Sequence, residues 1–180
     1  MSPESSVAIA PKTRRDVLTL SAYSLSAVGA ATALWPFIDS MNPAADTRAE
    51  AFTEVDLAPI VEGQRVTVSW SGRPVFIAHR TPEEIAKAKA GDNEALRDPQ
   101  KDTQRVKRPE WLVVIGICTH LGCVPGGQRP AEARGDWGGW YCPCHGSQYD
   151  TSARIRRGPA PRNLVVPNYR FLKQNAVRIG

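Results

Sequence analysis

Between Asp16 and Asp39 run 22 residues, Val17 to Ile38, without one Asp, Glu, Lys, Arg or His. Hydrocarbon holds no water to hydrogen-bond a backbone, so a segment that enters it must satisfy its own N–H and C=O groups, as a helix does. At about 1.5 Å per residue the run reaches roughly 33 Å, against a hydrocarbon core of about 30 Å. It therefore predicts a transmembrane anchor over residues 17–38. Lys12, Arg14 and Arg15 precede the run and Asp39 follows it. That asymmetry puts residues 1–16 in the cytoplasm and the chain beyond residue 39 across the membrane, with Trp35, Pro36 and Phe37 at the outer interface.

Two other readings of the run stay open. Ala31-Thr32-Ala33 fits the cleavage pattern of a signal peptide, although the charge-free stretch is longer than the usual core of about 7–15 residues. Its many Ala, Ser and Thr residues also suit a buried helix of a soluble protein. Arg14-Arg15 ahead of Asp16-Val17-Leu18 is similar to a twin-arginine export signal, which serves proteins exported already folded.

Residues 39–50 are polar and rich in small side chains, as a linker or hinge is. The remaining residues, 51–180, suffice for one globular domain of ordinary size. With 42% hydrophobic and 23% charged residues, 14 Gly and 15 Pro, the chain is neither disordered, coiled-coil nor collagen-like, and it is rich in turns. The net charge of +5 is spread along the chain, so nucleic acid is not indicated as a partner.

The apolar pattern after residue 50 is mainly β. Arg65–Trp70 and Pro74–His79 flank Ser71-Gly72-Arg73 as a hairpin. Thr81, Pro82 and Glu84 predict an N-cap, a first-turn proline and a capping-box glutamate for a short helix that Gly91 can end. Residues 92–110 are charged and read as a surface excursion. Trp111–Ile117 is the most apolar strand candidate, and residues 163–167, 169–172 and 176–179 complete the set.

All four cysteines fall between positions 118 and 144, in two boxes: Cys118-Thr-His120-Leu-Gly-Cys123 and Cys142-Pro-Cys144-His145-Gly-Ser147. Together they offer two thiolates and two imidazoles, with one cysteine to spare in each box. Tetrahedral zinc accepts such a set, and so does a [2Fe–2S] cluster with Cys₂ on one iron and His₂ on the other. A structural zinc site has no use for the spare pair, which a disulfide would absorb in an oxidising compartment.

These boxes, together with Gly158-Pro159-Ala160-Pro161 and the preceding anchor, resemble the Rieske iron–sulfur subunit of quinol:cytochrome c oxidoreductase, the cytochrome bc1 complex. The resemblance implies an N-terminal helix, a hinge, and a Rieske-type antiparallel β domain with a cluster-binding part over about residues 116–162. It implies one [2Fe–2S] cluster held by Cys118 and Cys142 on one iron and by His120 and His145 on the other, with Cys123–Cys144 as a disulfide. Ser147 would hydrogen-bond a bridging sulfide and Tyr149 the sulfur of Cys118. Leu121 and the loop of Gly158, Pro159 and Pro161 would cover the cluster. Neutral imidazoles in place of thiolates raise the potential, as do hydrogen bonds to the sulfurs.

The implied activity is electron transfer from quinol, which His145 would hydrogen-bond and relieve of a proton, to cytochrome c1, in respiratory or photosynthetic electron transport. The implied partners are cytochromes b and c1 in a dimeric complex of a bacterial inner membrane, with the cluster domain on the periplasmic side and the hinge letting the head serve both cytochromes. Gln148 stands where members often have His, and Ala153 where Gly is usual. A Rieske subunit of another exported oxidoreductase, such as an arsenite oxidase, would share the anchor and both boxes. A ring-oxygenase ferredoxin would need neither the anchor nor the spare cysteines. Elsewhere His79 reads as a half-buried strand residue, Trp70, Trp111, Trp137 and Trp140 as packing, and the arginines at 154, 156, 157 and 162 as a solvated face. Glycines 126, 127, 138 and 139 read as turn formers.

Overall fold

The computed structural model describes residues 13–42, 51–173 and 175–180. The chain divides into two compact units, residues 1–45 and 46–180. Of the first, the described part is helix α1, Arg14–Asp39. Thr13 caps it: its hydroxyl accepts the Asp16 N–H at 3.3 Å while the Asp16 carboxylate accepts the Thr13 N–H at 2.9 Å, a reciprocal capping box. Its 26 residues carry no buried side chain and are long and apolar enough to cross a membrane. Lys12 and most of the expected linker lie outside the described residues.

The described residues of the second unit hold nine strands in three antiparallel three-stranded sheets. Strands β1 (Thr53–Asp56), β9 (Ala176–Ile179) and β8 (Tyr169–Lys173) form one sheet; β2 (Arg65–Trp70), β3 (Arg73–His79) and β4 (Trp111–Ile115) form the second; β5 (Gly138–Cys142), β6 (Ser147–Asp150) and β7 (Ile155–Arg157) form the third. Helix α2, Pro82–Ala90, starts on a Thr81/Glu84 capping box with Pro82 in its first turn and is capped by Gly91.

The middle sheet explains why Trp111–Ile115 is continuously apolar rather than alternating. Both of its faces are covered. Val75, Ile77, Trp111 and Val113 point into one core with Leu57, Ile60, Tyr169, Val177 and Ile179. Phe76, Ala78, Leu112 and Val114 point into the other, with Trp140, Tyr149, Ile155, Leu164 and the cysteines Cys118 and Cys142. Each large side chain so buried contributes about 1.5–3 kcal/mol. The second core is thus the floor of the cysteine loops.

Four expectations need correction. Residues 92–110 are not a plain surface excursion: they include α3, Asp102–Arg105, whose Asp102 and Arg105 are both buried. Arg80 reaches Asp102 at 2.6 and 3.2 Å, and Asp102 also accepts the Ser152 hydroxyl at 2.6 Å. Arg105 donates to the carbonyls of Ser152 and Leu164, each at 2.6 Å. Burial pulls its guanidinium down to about 10, which still leaves it charged at neutral pH. The solvated-face reading of the arginines fails for two of them. Arg154 is wholly buried, donating to Asp150 at 2.8 Å, to the Ala88 carbonyl at 2.6 Å and to Asp92, while Arg156 reaches Asp150 and Glu94. Charged residues here cross-link segments instead of facing water, which composition cannot reveal.

The third correction concerns residues 163–167, which form no strand. Their apolar residues divide: Leu164 is buried in the core beneath the cysteine loops, Val166 packs against both cores and Val165 is exposed. The Val165 carbonyl still accepts the Ile115 N–H at 2.7 Å. Conversely β1, β5, β6 and β7 were hidden from pattern reading by their shortness and by glycines. Gly139, read as a turn former, lies inside β5 at a register shift where a Cβ would stand 2.0 Å from the Asp150 carbonyl oxygen.

His79 and the tryptophans are packing residues. The His79 ring stacks on Trp111 at 4.1 Å, with Nδ1 2.8 Å from the Ile60 carbonyl oxygen. Trp140 is fully buried under the Arg65 guanidinium.

Candidate metal centre

The two boxes are the loops that follow β4 and β5, so the register of two separate sheets decides where the cysteines stand. The first box is closed by its own backbone: the Cys118 N–H donates to the Cys123 carbonyl at 2.8 Å and the Gly122 N–H to the Cys118 carbonyl at 3.0 Å. Gly122 has φ +85°, a turn an L side chain adopts only with strain. The second box is the β5–β6 turn, where Cys142 faces Ser147 in register and the Gly146 N–H donates to the Cys142 carbonyl at 2.9 Å. Gly146, at φ +76°, makes that reversal possible.

Cys123 and Cys144 are joined as a disulfide, 21 residues apart in sequence, which ties the loops to each other. Cys118 and Cys142 are buried free thiols. The sulfurs of Cys123, Cys142 and Cys144 lie within 4.8 Å of one another, but two of them are consumed by the disulfide, so Cys142 alone of the three can give a thiolate. The rings of His120 and His145 meet edge to face with centroids 4.6 Å apart. The two tied loops thus carry two buried thiols and two adjoining imidazoles.

The donor set asks for a metal group. His120 Nδ1 is buried and has no hydrogen-bond partner, a state that a folded protein rarely leaves uncompensated. Burial pushes the Cys142 thiol up, so a thiolate there calls for a cation beside it. Two thiolates and two imidazoles fit a [2Fe–2S] group with mixed ligation, and the disulfide removes the remaining sulfurs from competition.

Around this set the Tyr149 hydroxyl stands 3.2 Å from Cys118 Sγ. Burial, together with that sulfur, pushes its phenol up, which keeps the proton on oxygen and makes it a donor toward a thiolate. Ser147 is wholly buried and its Oγ accepts the Ala160 N–H at 3.1 Å. The third loop, 158–161, lies directly on Ser147: Gly158 has φ +97°, and a Cβ there would come 2.5 Å from the Ser147 Cα. Leu121, 71% exposed, and the exposed His145, Pro143 and Val124 form the outer surface of the loops.

The two departures have structural answers. Gln148 Oε1 accepts the Asp136 N–H at 2.8 Å, fastening the loop before β5. Ala153 is buried with φ +59°, the left-handed region that glycine enters without strain. Its N–H and carbonyl are pinned by Asp150 and Leu164. Pattern reading missed Arg97, Asp102, Arg105 and Asn163, which hold this region from outside the boxes, because isolated polar residues in a charged stretch carry no periodic signal.

Two family models match the chain: a Rieske [2Fe–2S] domain over residues 53–170 and the TAT-signal segment of the ubiquinol–cytochrome c reductase Fe–S subunit over residues 5–44. The ubiquinol–cytochrome c reductase iron–sulfur subunit of Rhodospirillum rubrum is 57% identical over 167 residues, covering 93% of this chain and 91% of that one. The corresponding subunit of Rickettsia felis is 55% identical over 170 residues, with 93% of each chain covered. The mitochondrial cytochrome b–c1 complex Rieske subunit of Schizosaccharomyces pombe is 56% identical over 148 residues, 82% of this chain and 63% of that protein. Among solved structures, a chain of a hyperthermophilic respiratory Complex III superposes with a TM-score of 0.56 at 28% identity, covering 88% of this chain and 98% of its own. With gathered thiols, paired imidazoles and these likenesses along nearly its whole length, the chain belongs to the Rieske [2Fe–2S] iron–sulfur subunits of ubiquinol–cytochrome c reductase.

Proposed function

We propose that this chain carries electrons from ubiquinol to cytochrome c1 within a cytochrome bc1 complex, with Cys118 and Cys142 holding one iron and His120 and His145 the other. The observation that carries the reading is the presence, on two loops tied by a disulfide, of two buried thiols and two adjoining imidazoles, one of them exposed. Bound there, the cluster supplies a one-electron acceptor of raised potential. The chain's own residues do the rest. The exposed His145 presents a ring nitrogen to a quinol hydroxyl and receives its proton. Tyr149 donates a hydrogen bond toward Cys118, and Ser147 would donate one toward the bound cluster, and both would favour the electron-rich state. Leu121 and the loop of Gly158, Pro159 and Pro161 exclude water, while Cys123–Cys144 keeps the two ligand loops at fixed separation.

In this reading α1 anchors the chain in a bacterial inner membrane with its N-terminus in the cytoplasm and residues 51–180 on the periplasmic side. The basic residues ahead of the apolar run, Lys12, Arg14 and Arg15, and the disulfide support that orientation. Cytochromes b and c1 are the partners in a dimeric complex, and residues 39–50 tether a head that visits both. Membranes solubilised gently should yield this chain together with b- and c-type haem proteins and a Rieske-type EPR signal on reduction. Zinc in place of iron, or absence of both haem proteins from an intact preparation, would overturn the assignment.

A further inference from the structure

A four-residue stretch, 97–100, holds the third loop through Arg97 and Asn163 just beyond it through Asp98 and Gln100. Nη1 of Arg97 donates to the carbonyls of Gly158 and Ala160, both at 2.6 Å. Next to it, Asp98 accepts the Asn163 N–H on Oδ2 at 3.0 Å, and its carbonyl accepts Asn163 Nδ2 at 2.9 Å. Gln100 Oε1 shares that Asn163 amide at 3.1 Å, and Asn163 Oδ1 accepts the Ile155 N–H at 2.9 Å.

The two carbonyls under Arg97 bracket one group of special consequence. Pro159 and Pro161 have no N–H, so Ala160 carries the single backbone donor of residues 159–161. That donor is spent on Ser147 Oγ. A hydroxyl that accepts a backbone N–H still has its own proton to give, and the accepted bond narrows the directions in which it can give it. Gly158 itself has no side chain, and its backbone rests directly on Ser147.

We propose that Arg97 is a positioning residue: by clamping the carbonyls of Gly158 and Ala160 it keeps the Ala160 N–H on Ser147 Oγ and so aims the Ser147 proton at the cluster sulfur. The inference rests on the reading of Ser147 as a sulfur donor given above, and goes beyond it by naming what orients that donor. The part of the Arg97 influence that runs through Ser147 can be no larger than the effect of losing the Ser147 hydroxyl, and the double change separates that part from the direct through-space effect of the Arg97 charge.

The test is a cycle of midpoint potentials and EPR g values, measured on the full chain in its membrane complex after iron and sulfide content has been checked. Arg97→Ala should lower the potential by less than Ser147→Ala does, and Arg97→Lys, whose ammonium can still bridge both carbonyls, should restore most of the shift. In a Ser147→Ala background the Arg97→Ala change should have no effect beyond that through-space one. Should Arg97→Ala compromise assembly, Arg97→Gln gives the same comparison. Two outcomes would overturn the proposal while leaving Ser147 as a donor: an unchanged potential in Arg97→Ala and Arg97→Gln beside a lowered one in Ser147→Ala, or an equal Arg97 shift with and without the Ser147 hydroxyl. An unchanged potential in Ser147→Ala would overturn both the donor reading and the proposal built on it.

Discussion

Removing the Asp102 carboxylate, as Asp102→Ala, isolates what the charged segment 92–110 contributes. The side chains of Asp102 and Arg80 are each 1% exposed, and the carboxylate takes two guanidinium bonds at 2.6 and 3.2 Å besides the Ser152 hydroxyl. Truncation leaves Arg80 with the Pro109 carbonyl as its remaining partner in a site closed to water. Breaking a buried pair from one side costs about 3–5 kcal/mol, because an uncompensated charge stays behind. For a domain of this size that is a large part of the roughly 5–15 kcal/mol total and corresponds to a melting point lower by on the order of 10–20 °C.

The assay is thermal and urea unfolding of the detergent-solubilised chain followed by circular dichroism, with cluster absorption as a second probe. Replacing both partners, Arg80→Met with Asp102→Leu, should recover most of the loss, since apolar pairs of similar volume often substitute for buried ion pairs. The pH dependence has a definite sign. Burial raises the Asp102 carboxyl, but the hydrogen bonds from Arg80 and Ser152 outweigh it and hold the group below its ordinary value. A depressed acid adds stability above its unfolded pKa of about 4 and loses it as pH falls through the lower folded value. Wild type should therefore lose stability below about pH 4 more steeply than Asp102→Ala does. A loss under about 1 kcal/mol, with parallel acid limbs, would refute the reasoning, since that is the range of an exposed pair.

Changing Cys118, His120, Cys142 or His145 to Ala should abolish the cluster, read as loss of its EPR signal; normal iron content in His120→Ala would sink the ligand assignment. Ser at Cys123 or Cys144 should permit assembly but shorten cluster lifetime and lower the potential, and complete failure of assembly would mean that the cysteines are divided wrongly. Tyr149→Phe removes one hydrogen bond worth about 1 kcal/mol, so a one-electron potential should fall by roughly 40 mV in a redox titration, against no change if the phenol is a spectator. Valine at Ala153 should destabilise the domain by at least about 2 kcal/mol in the same unfolding assay, because a branched side chain would be forced into the left-handed region inside a filled core.

The helix long and apolar enough to cross a membrane, the β2–β3 hairpin, the capped helix α2 and the two cysteine–histidine boxes were all legible in the amino-acid sequence. Each rests on neighbours within a few residues: a charge-free run, Ser71-Gly72 between apolar strands, Thr81 with Glu84, or Cys and His two or three positions apart. Tertiary structure alone decided how those pieces meet. Residues far apart in the chain share no local pattern, so nothing in residues 92–110 announces that Asp102 will neutralise Arg80, that Arg105 will fasten carbonyls 47 and 59 residues away, or that Arg97 will clasp the third loop. The pairing of β6 with β5 and β7 likewise depends on close backbone contacts at Gly139 and Gly158, where absence of a side chain matters only once another strand is there. Short-range periodicity is written along the chain, whereas the burial of a charge or the approach of two backbones exists only after folding has supplied the partner.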